Sequence, residues 1–444
     1  MKSIFEFVKR AGLKSPLAPL FQRGGMNQRG IALLLVLSAI SVLTIAIVEF
    51  VYNTQIQYRI AVNNKERLQA YYLAQSGLNL SRLMLRYSKE AQSMLDKAGE
   101  AGMDLKMEPL YRMMPLSSSL LRGIASGDSE AAGNQAPDTP PAEGEKSSSP
   151  TDPMKMVNFL DQEKAKEFLN FDGDFSTDIT EEQTKYDLNA IASLESTSPA
   201  YDRRKKELLS ILEHPTFKDL FKDQERDAAD LVHALADWVD SNDQANEFDN
   251  VTRGSEDRLY SHVRYRPKNG KMLTLSEMRL VAGMNDHLFD ALKPFVTVYG
   301  GGDKINVCLG EDDLLAGLIH DYLRNSGCTP NIDYKDEDTF KELVAEVRGA
   351  CPDISAMSAA LNSKLGLSDM EAVAKETPTG ATAAEGEAVA GCAFQFKDLL
   401  TPDNNIFTLK STGTVGDTEV GITEVIDSSG GSPDSWKIYY YRIE

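Results

Sequence analysis

Seven carboxylates crowd into residues 237–257: Asp237, Asp240, Asp243, Glu247, Asp249, Glu256 and Asp257, with the amides Asn242 and Asn246 among them. They follow a predicted helix end and run into a loop. Clustered hard oxygens are the chemistry of Ca²⁺, which takes six to eight oxygen ligands at about 2.3–2.6 Å and tolerates a flexible carboxylate loop. The spacing is not that of an EF-hand, because no Gly stands at the sixth position and no Glu at the twelfth. Asp240, Asp243, Asp249 and Asp257 are the candidate calcium ligands. Composition alone leaves a solvated acidic loop standing beside that reading.

Other reactive residue types offer less. His214, His233, His262, His287 and His320 are scattered, and neither a nucleophile elbow nor a phosphate-binding glycine loop occurs. No enzyme activity and no small-molecule substrate are expected. Cys308, Cys328, Cys351 and Cys392 contain no CxxC pair, so zinc has little support. In an oxidising compartment an even count favours two disulfides, with three connectivities open and free thiols as the other possibility.

These residues need a compartment and a scaffold, and the N-terminal region supplies the first clue. From Ile31 to Val48 the chain carries no charge, and about 18–20 apolar residues at 1.5 Å each span roughly 30 Å of hydrocarbon. Lys2, Lys9, Arg10, Lys14, Arg23 and Arg29 precede it against Glu6 alone, which places that side in the cytoplasm and the rest outside. An ordinary secretory signal has its cleavage site after the apolar core. Here the basic patch ends at Gly30 directly before the core, which resembles a prepilin leader cut between Gly30 and Ile31. Met26 would serve equally well as a start. Removing residues 1–30 leaves 41 bases against 66 acids, a strongly acidic exterior, where the whole chain has a net charge of −20.

Ile31 through Ser76 contains neither Gly nor Pro, so one helix is predicted well past the membrane, with a transmembrane part at 31–51 and a continuation at 52–90. Ile56, Ile60, Leu68, Tyr71, Tyr72, Leu78 and Leu83 give that continuation an apolar stripe to bury. Residues 123–153 are poor in large apolar side chains and read as a disordered insertion, with 376–391 as a similar linker. Residues 158–200 are assigned to strands. An α-helical domain is predicted over 201–375, with helices at 203–213, 216–240, 274–282, 285–293, 311–325, 335–348, 354–364 and 367–375. Short β-branched and aromatic runs at 406–410, 419–426 and 436–441 predict antiparallel strands within 392–444.

Several motifs together resemble one family, the K-type minor pseudopilins of type II secretion systems. They are Arg29-Gly30-Ile31-Ala32-Leu33, Ala70 to Leu78 (AYYLAQSGL), Leu235 to Asp240 (LADWVD), Ser276 to Met284 (SEMRLVAGM), Leu292 to Val298 (LKPFVTV) and Ile305-Asn306-Val307. The likeness covers most of residues 26–310 and thins beyond Gly310. Cys308 departs from the pattern, which usually has Asn there. The resemblance implies an α+β fold, a long N-terminal membrane-spanning helix packed on an antiparallel pilin-like β-sheet with a large inserted all-α domain. It implies cleavage at Gly30 and N-methylation of Ile31 by a prepilin peptidase, and it strengthens the calcium reading of the acidic loop.

The fifth residue of the cleaved chain would be Leu35, where most pilin-like subunits carry a Glu that pairs with a neighbour's N-terminus. K-type members likewise lack the acid, which suits a subunit capping the filament tip in the inner membrane and periplasm. Glu49 comes too late along the helix to replace it. The implied partners are the I- and J-type minor pseudopilins, with the secreted substrate and the outer-membrane secretin as further contacts. One alternative is a minor pilin of a type IV or DNA-uptake pilus, because Leu275–Met284 and the helix after it resemble a helix-hairpin-helix beside Arg258, His262, Arg264, Arg266, Lys268 and Lys271. An acidic exterior repels a polyanion, so no nucleic-acid partner is expected.

Overall fold

The computed structural model describes residues 28–100, 108–113, 116–126, 170–222, 226–327, 336–366 and 395–444. Residues 127–153 of the expected insertion, the start of the 158–200 strand segment, the expected helix 367–375, the linker 376–391, Cys328 and Cys392 lie outside these. The chain divides into two compact units, residues 1–65 and 66–444.

Helix α1 (Gln28–Glu100) is 73 residues long and enters both units. In the first unit its side chains from Ile31 to Tyr52 stand exposed, Leu35 at 65%. By length and composition it could cross a membrane, and among the described residues it is the one helix that could. Three of its hydroxyls are satisfied within the helix. The hydroxyls of Ser38, Ser41 and Thr44 donate to the carbonyls of Leu35, Leu37 and Ile40 at 2.8–2.9 Å. Lipid would demand that, since hydrocarbon offers no partner for a free donor.

In the second unit the same helix lies on a four-stranded sheet. Its strands are β1 (Asp174–Glu181), β2 (Ile406–Val415), β3 (Thr418–Asp427) and β4 (Lys437–Ile443), in the order β1-β2-β3-β4 and antiparallel throughout. Ala70, Ala74, Leu78, Ser81, Leu85 and Ser88 recur every three or four residues and form one buried helix face. Leu78 and Leu85 meet Phe407, Leu409, Ile422 and Ile426, which the strand alternation turns to the same side. Small residues set the separation. A Cβ on Gly413 would lie 2.1 Å from the Ala70 carbonyl oxygen and 2.7 Å from the Ala74 nitrogen. Gly77, in the middle of the helix, sits as tightly against Ser411 and Phe175. Its helix cost of about 1 kcal/mol is offset by the approach it permits.

Strands β1 and β2 are neighbours in the sheet, yet residues 182–405 intervene. The helical region is therefore an insertion between two adjacent strands. Its helices are Pro199–Leu212, Ala228–Val239, Asp286–Leu292, Asp312–Asn325, Glu337–Gly349 and Ile354–Leu365, around a core that includes Leu208, Leu235, Trp238, Leu315, Ile319 and Leu361. The fold is α+β, as expected.

Two helices expected from periodicity come out differently. The stretch 216–240 is not continuous: short turns at Pro215–Lys218 and Asp219–Phe221 precede a separate helix. Asp227 starts that helix anew by accepting the Asp230 N–H, a cap that competes with helix continuation. The stretch 274–282 is a 3₁₀ turn, Leu275–Leu280, closed before Gly283 at φ +92°. Residues 123–126, expected within the disordered insertion, form the last turn of a helix, Ser118–Ser126.

Candidate metal centre

Asp237 lies in the last turn of helix Ala228–Val239, and Asp240 follows as its C-cap. A three-residue separation puts both carboxylates on one face. The chain then makes a short hairpin, Gln244–Asn246 with Thr252–Ser255, in which Gln244 faces Ser255. That turn returns Glu256, at the start of the 3₁₀ helix Glu256–Tyr260, to the helix end. One oxygen from each of Asp237, Asp240 and Glu256 falls within 4.8 Å of the others. All three residues are buried, at 2%, 1% and 2% exposure.

Their polar partners are unequal. Asp240 accepts the Tyr201 hydroxyl at 2.7 Å and the Asn242 N–H at 3.2 Å, and Asp237 accepts the Asn246 N–H at 3.2 Å. Both oxygens of Glu256 are buried without any hydrogen-bond partner. A lone buried carboxylate is among the most costly groups a protein can contain, so it becomes neutral or takes a cation. Burial, reinforced by Asp237 and Asp240, pushes the Glu256 carboxyl up to about 9. Burial likewise raises Asp237 to about 7, and it raises Asp240 against the opposing Tyr201 hydrogen bond. Three converging hard-oxygen donors with two orphan oxygens fit a hard divalent cation, which carboxylates bind through one oxygen or both.

A buried ammonium stands on the other side of the same hairpin. Lys205, on helix Pro199–Leu212, is fully buried and donates to the Asn246 carbonyl at 2.6 Å. Its Nζ lies 5.2 Å from the centre of the Tyr201 ring and 5.1 Å from that of Phe248, within cation–π range. Burial lowers its pKa to about 8, with Asp237 the leading opposing influence.

All of these residues fall inside one family match. Residues 184–301 match the model of the family described as type II secretion system (T2SS), protein K. Through this region the chain is similar to that family. It is 30% identical over 137 residues to the type II secretion system protein K of Klebsiella pneumoniae, a stretch covering 30% of this chain and 39% of that protein, so the chain spans well under two thirds of that relative. A chain in the crystal structure of the GspK-GspI-GspJ complex from the type 2 secretion system of enterotoxigenic Escherichia coli aligns at 19% identity and a TM-score of 0.35. That alignment covers 62% of this chain and 80% of the other.

Within the matched region the structure separates the predicted ligands. It brings Asp240 into the cluster and leaves Asp243, Asp249 and Asp257 outside it. Asp243 is exposed and accepts the Asn269 side-chain amide at 2.8 Å. Asp249 pairs with Lys206 at 2.8 Å with its side chain 78% exposed, and Asp257 faces Arg266 at 3.6 Å. Each of these three carboxylates is exposed and has a donor or cation for a partner. Glu256 belonged to the acidic run but not among the favoured ligands; its place depends on the hairpin, which no local spacing announces. The three-residue spacing of Asp237 and Asp240 at a helix end was the readable signal.

Gly30 and Ile31 occupy the first turn of α1, with Ile31 62% exposed. Cys308 and Cys351 form a disulfide. The secretion family match does not favour the DNA-uptake alternative. The first limb of the supposed helix-hairpin-helix is the 3₁₀ turn, and two of the bases beside it are paired, Lys268 with Glu277 at 2.6 Å and Arg266 with Asp257.

Proposed function

We propose that this protein is a minor pseudopilin that caps the tip of a type II secretion pseudopilus and starts its assembly, with no catalytic role. The observation that carries the reading is the protein K domain lying in an insertion between two neighbouring strands, in a chain whose N-terminal helix is apolar over a membrane's thickness. A filament repeats its subunits at close spacing, and more than two hundred residues inserted beside the sheet suit a terminal position better than a repeated one. Leu35 supports the same end. A buried carboxylate in lipid needs a partner, and a subunit with leucine there asks for none.

In this reading a prepilin peptidase cuts between Gly30 and Ile31 and methylates the new terminus. The helix anchors the protein in the inner membrane once, with the folded unit in the periplasm, and then joins the filament core. I- and J-type minor pseudopilins are the partners, joined along the apolar helix, and the exported substrate and the secretin are met from the tip. Ca²⁺ is the resident ion, held by Asp237, Asp240 and Glu256. It neutralises the buried carboxylates and ties the hairpin to the helix end.

Mass spectrometry of the N-terminus from native membranes tests the processing step. A peptide starting at N-methylated Ile31 is expected, and an intact basic leader on the membrane-inserted protein would sink the pseudopilin reading. Immunogold labelling of sheared pseudopili tests the position. Label confined to one end is expected, whereas label along the shaft rules out a cap.

A further inference from the structure

The calcium reading leaves one buried charge without a role. Lys205 has its ammonium inside the protein at 0% exposure, bound to a neutral carbonyl and bracketed by two aromatic rings. Burying an ammonium costs several kcal/mol unless negative charge stands close by. The carbonyl it holds belongs to Asn246, whose N–H donates to Asp237 Oδ1 at 3.2 Å and whose side-chain amide reaches Asp240 Oδ2 at 3.5 Å. Tyr201, whose ring Lys205 faces, donates its hydroxyl to Asp240 at 2.7 Å. The ammonium is thus one residue away from two of the three carboxylates, through two separate paths. Two other nearby acids are matched elsewhere, Asp202 by Lys206 at 2.7 Å and Glu247 by Arg253 at 2.6 Å.

We propose that Lys205 sets the charge of the cation centre: with Asp237, Asp240 and Glu256 ionised, its single positive charge leaves the corner at two negative, matched to one divalent ion and discriminating against trivalent ions of similar size. The proposal rests on the calcium reading and adds to it. The lysine does not touch the ion; it acts through the field and through the Asn246 peptide, as a specificity-determining residue. Its repulsion of a bound cation is linear in that cation's charge. Removing it therefore tightens a trivalent ion more than a divalent one. A residue that merely packs the hairpin would move both ions together.

The test titrates the detergent-solubilised full chain with Ca²⁺ and separately with Tb³⁺, by calorimetry, in the wild type and in Lys205→Met, Lys205→Gln and Lys205→Arg. If the neutral Met variant binds Ca²⁺ about tenfold tighter, linear scaling makes Tb³⁺ about thirtyfold tighter, so the Tb³⁺ preference rises about threefold. Gln, which keeps a donor for the Asn246 carbonyl, should show the same rise, and Arg, which keeps the charge, should show none. Equal shifts for both ions in the neutral variants, weaker Ca²⁺ binding in both, or a raised Tb³⁺ preference in Arg would overturn the proposal. So would failure of both neutral variants to fold in millimolar calcium, which would make the lysine a structural core cation. A wild type that binds neither ion defeats the calcium reading itself, a different result from any of these.

Discussion

Buried carboxylates occur both against the pilin-like sheet and at the acidic corner, and they are treated in opposite ways. Beside the sheet, Glu424 is met by Arg82 through two nitrogens, Glu181 by Arg112 at 2.6 Å, and Glu182 by Lys185 at 2.9 Å and the hydroxyls of Thr297 and Thr408. At the corner, Glu256 has no partner and shares its space with two further acids. These carboxylates beside the sheet are complete with partners from the protein itself. The corner is complete only with a proton or a cation, so one region carries the architecture and the other, on the proposed calcium reading, responds to ions.

The largest effect that separates them is steric. Gly413→Val places a Cβ on the backbone of α1, where nothing can yield without moving the helix. A loss of about 3 kcal/mol or more in the urea unfolding of the full chain is expected, the upper end for overpacking, with no recovery in calcium. Recovery in calcium would mean that the two regions are one cooperative unit.

Calcium itself comes next. At a hundredfold excess over its dissociation constant an ion that binds only the folded state adds about 2.7 kcal/mol. Thermal melts with and without chelator should therefore separate by several degrees, and coincident melts would remove the site. In Glu256→Gln the separation should vanish, while the chelated protein should be more stable than chelated wild type by about 1 kcal/mol, since the variant no longer buries an unpaired acid. Lower stability in chelator would show that Glu256 has a partner of its own.

Acidity sharpens the contrast further. The folded pKa values of Glu256 and Asp237, raised to about 9 and about 7, lie above those of the unfolded chain, so their stabilising protonation is complete below the unfolded carboxylate range and is lost as pH rises through the folded values. The chelated protein should lose stability steadily from about pH 5 to pH 8, while calcium-loaded protein should not, because the ion takes the place of the protons. A flat profile in chelator would contradict this. The smallest effect belongs to Asp249, exposed and paired with Lys206. Asp249→Asn should change stability by less than about 0.5 kcal/mol and leave the calcium increment intact.

Much of the fold was readable because its signals are local. The uncharged run from Ile31 and the β-branched runs of the last forty residues each act through neighbours in sequence. The apolar stripe expected on the helix continuation was less readable: Ile56, Ile60, Leu68, Tyr72 and Leu83 are exposed, and the face that packs on the sheet is Ala70, Ala74, Leu78 and Leu85, where small residues let the helix approach. Interruptions were harder. Asp227 looks like one more acid in a polar stretch until its side chain is seen to cap a new helix, and the Leu275–Leu280 stretch has helical periodicity but winds as a 3₁₀ turn. At the metal centre the acidic composition was plain, yet three of the four favoured ligands lie outside the cluster. Exposure and the nearest donor or cation, neither of them encoded in spacing, decide which carboxylate is spoken for.

By itself the sequence determined a membrane-length apolar helix, the class of the fold and an acidic segment rich in hard oxygens, because hydrophobic length, composition and periodicity are properties of a chain before it folds. Only the tertiary structure decided that Glu256 returns across a hairpin to Asp237 and Asp240, that its oxygens are left without partners, and that Lys205 is buried behind the same peptide. Those facts depend on which groups water can reach and which charges come within a few ångströms of each other, and that is settled only when distant segments pack.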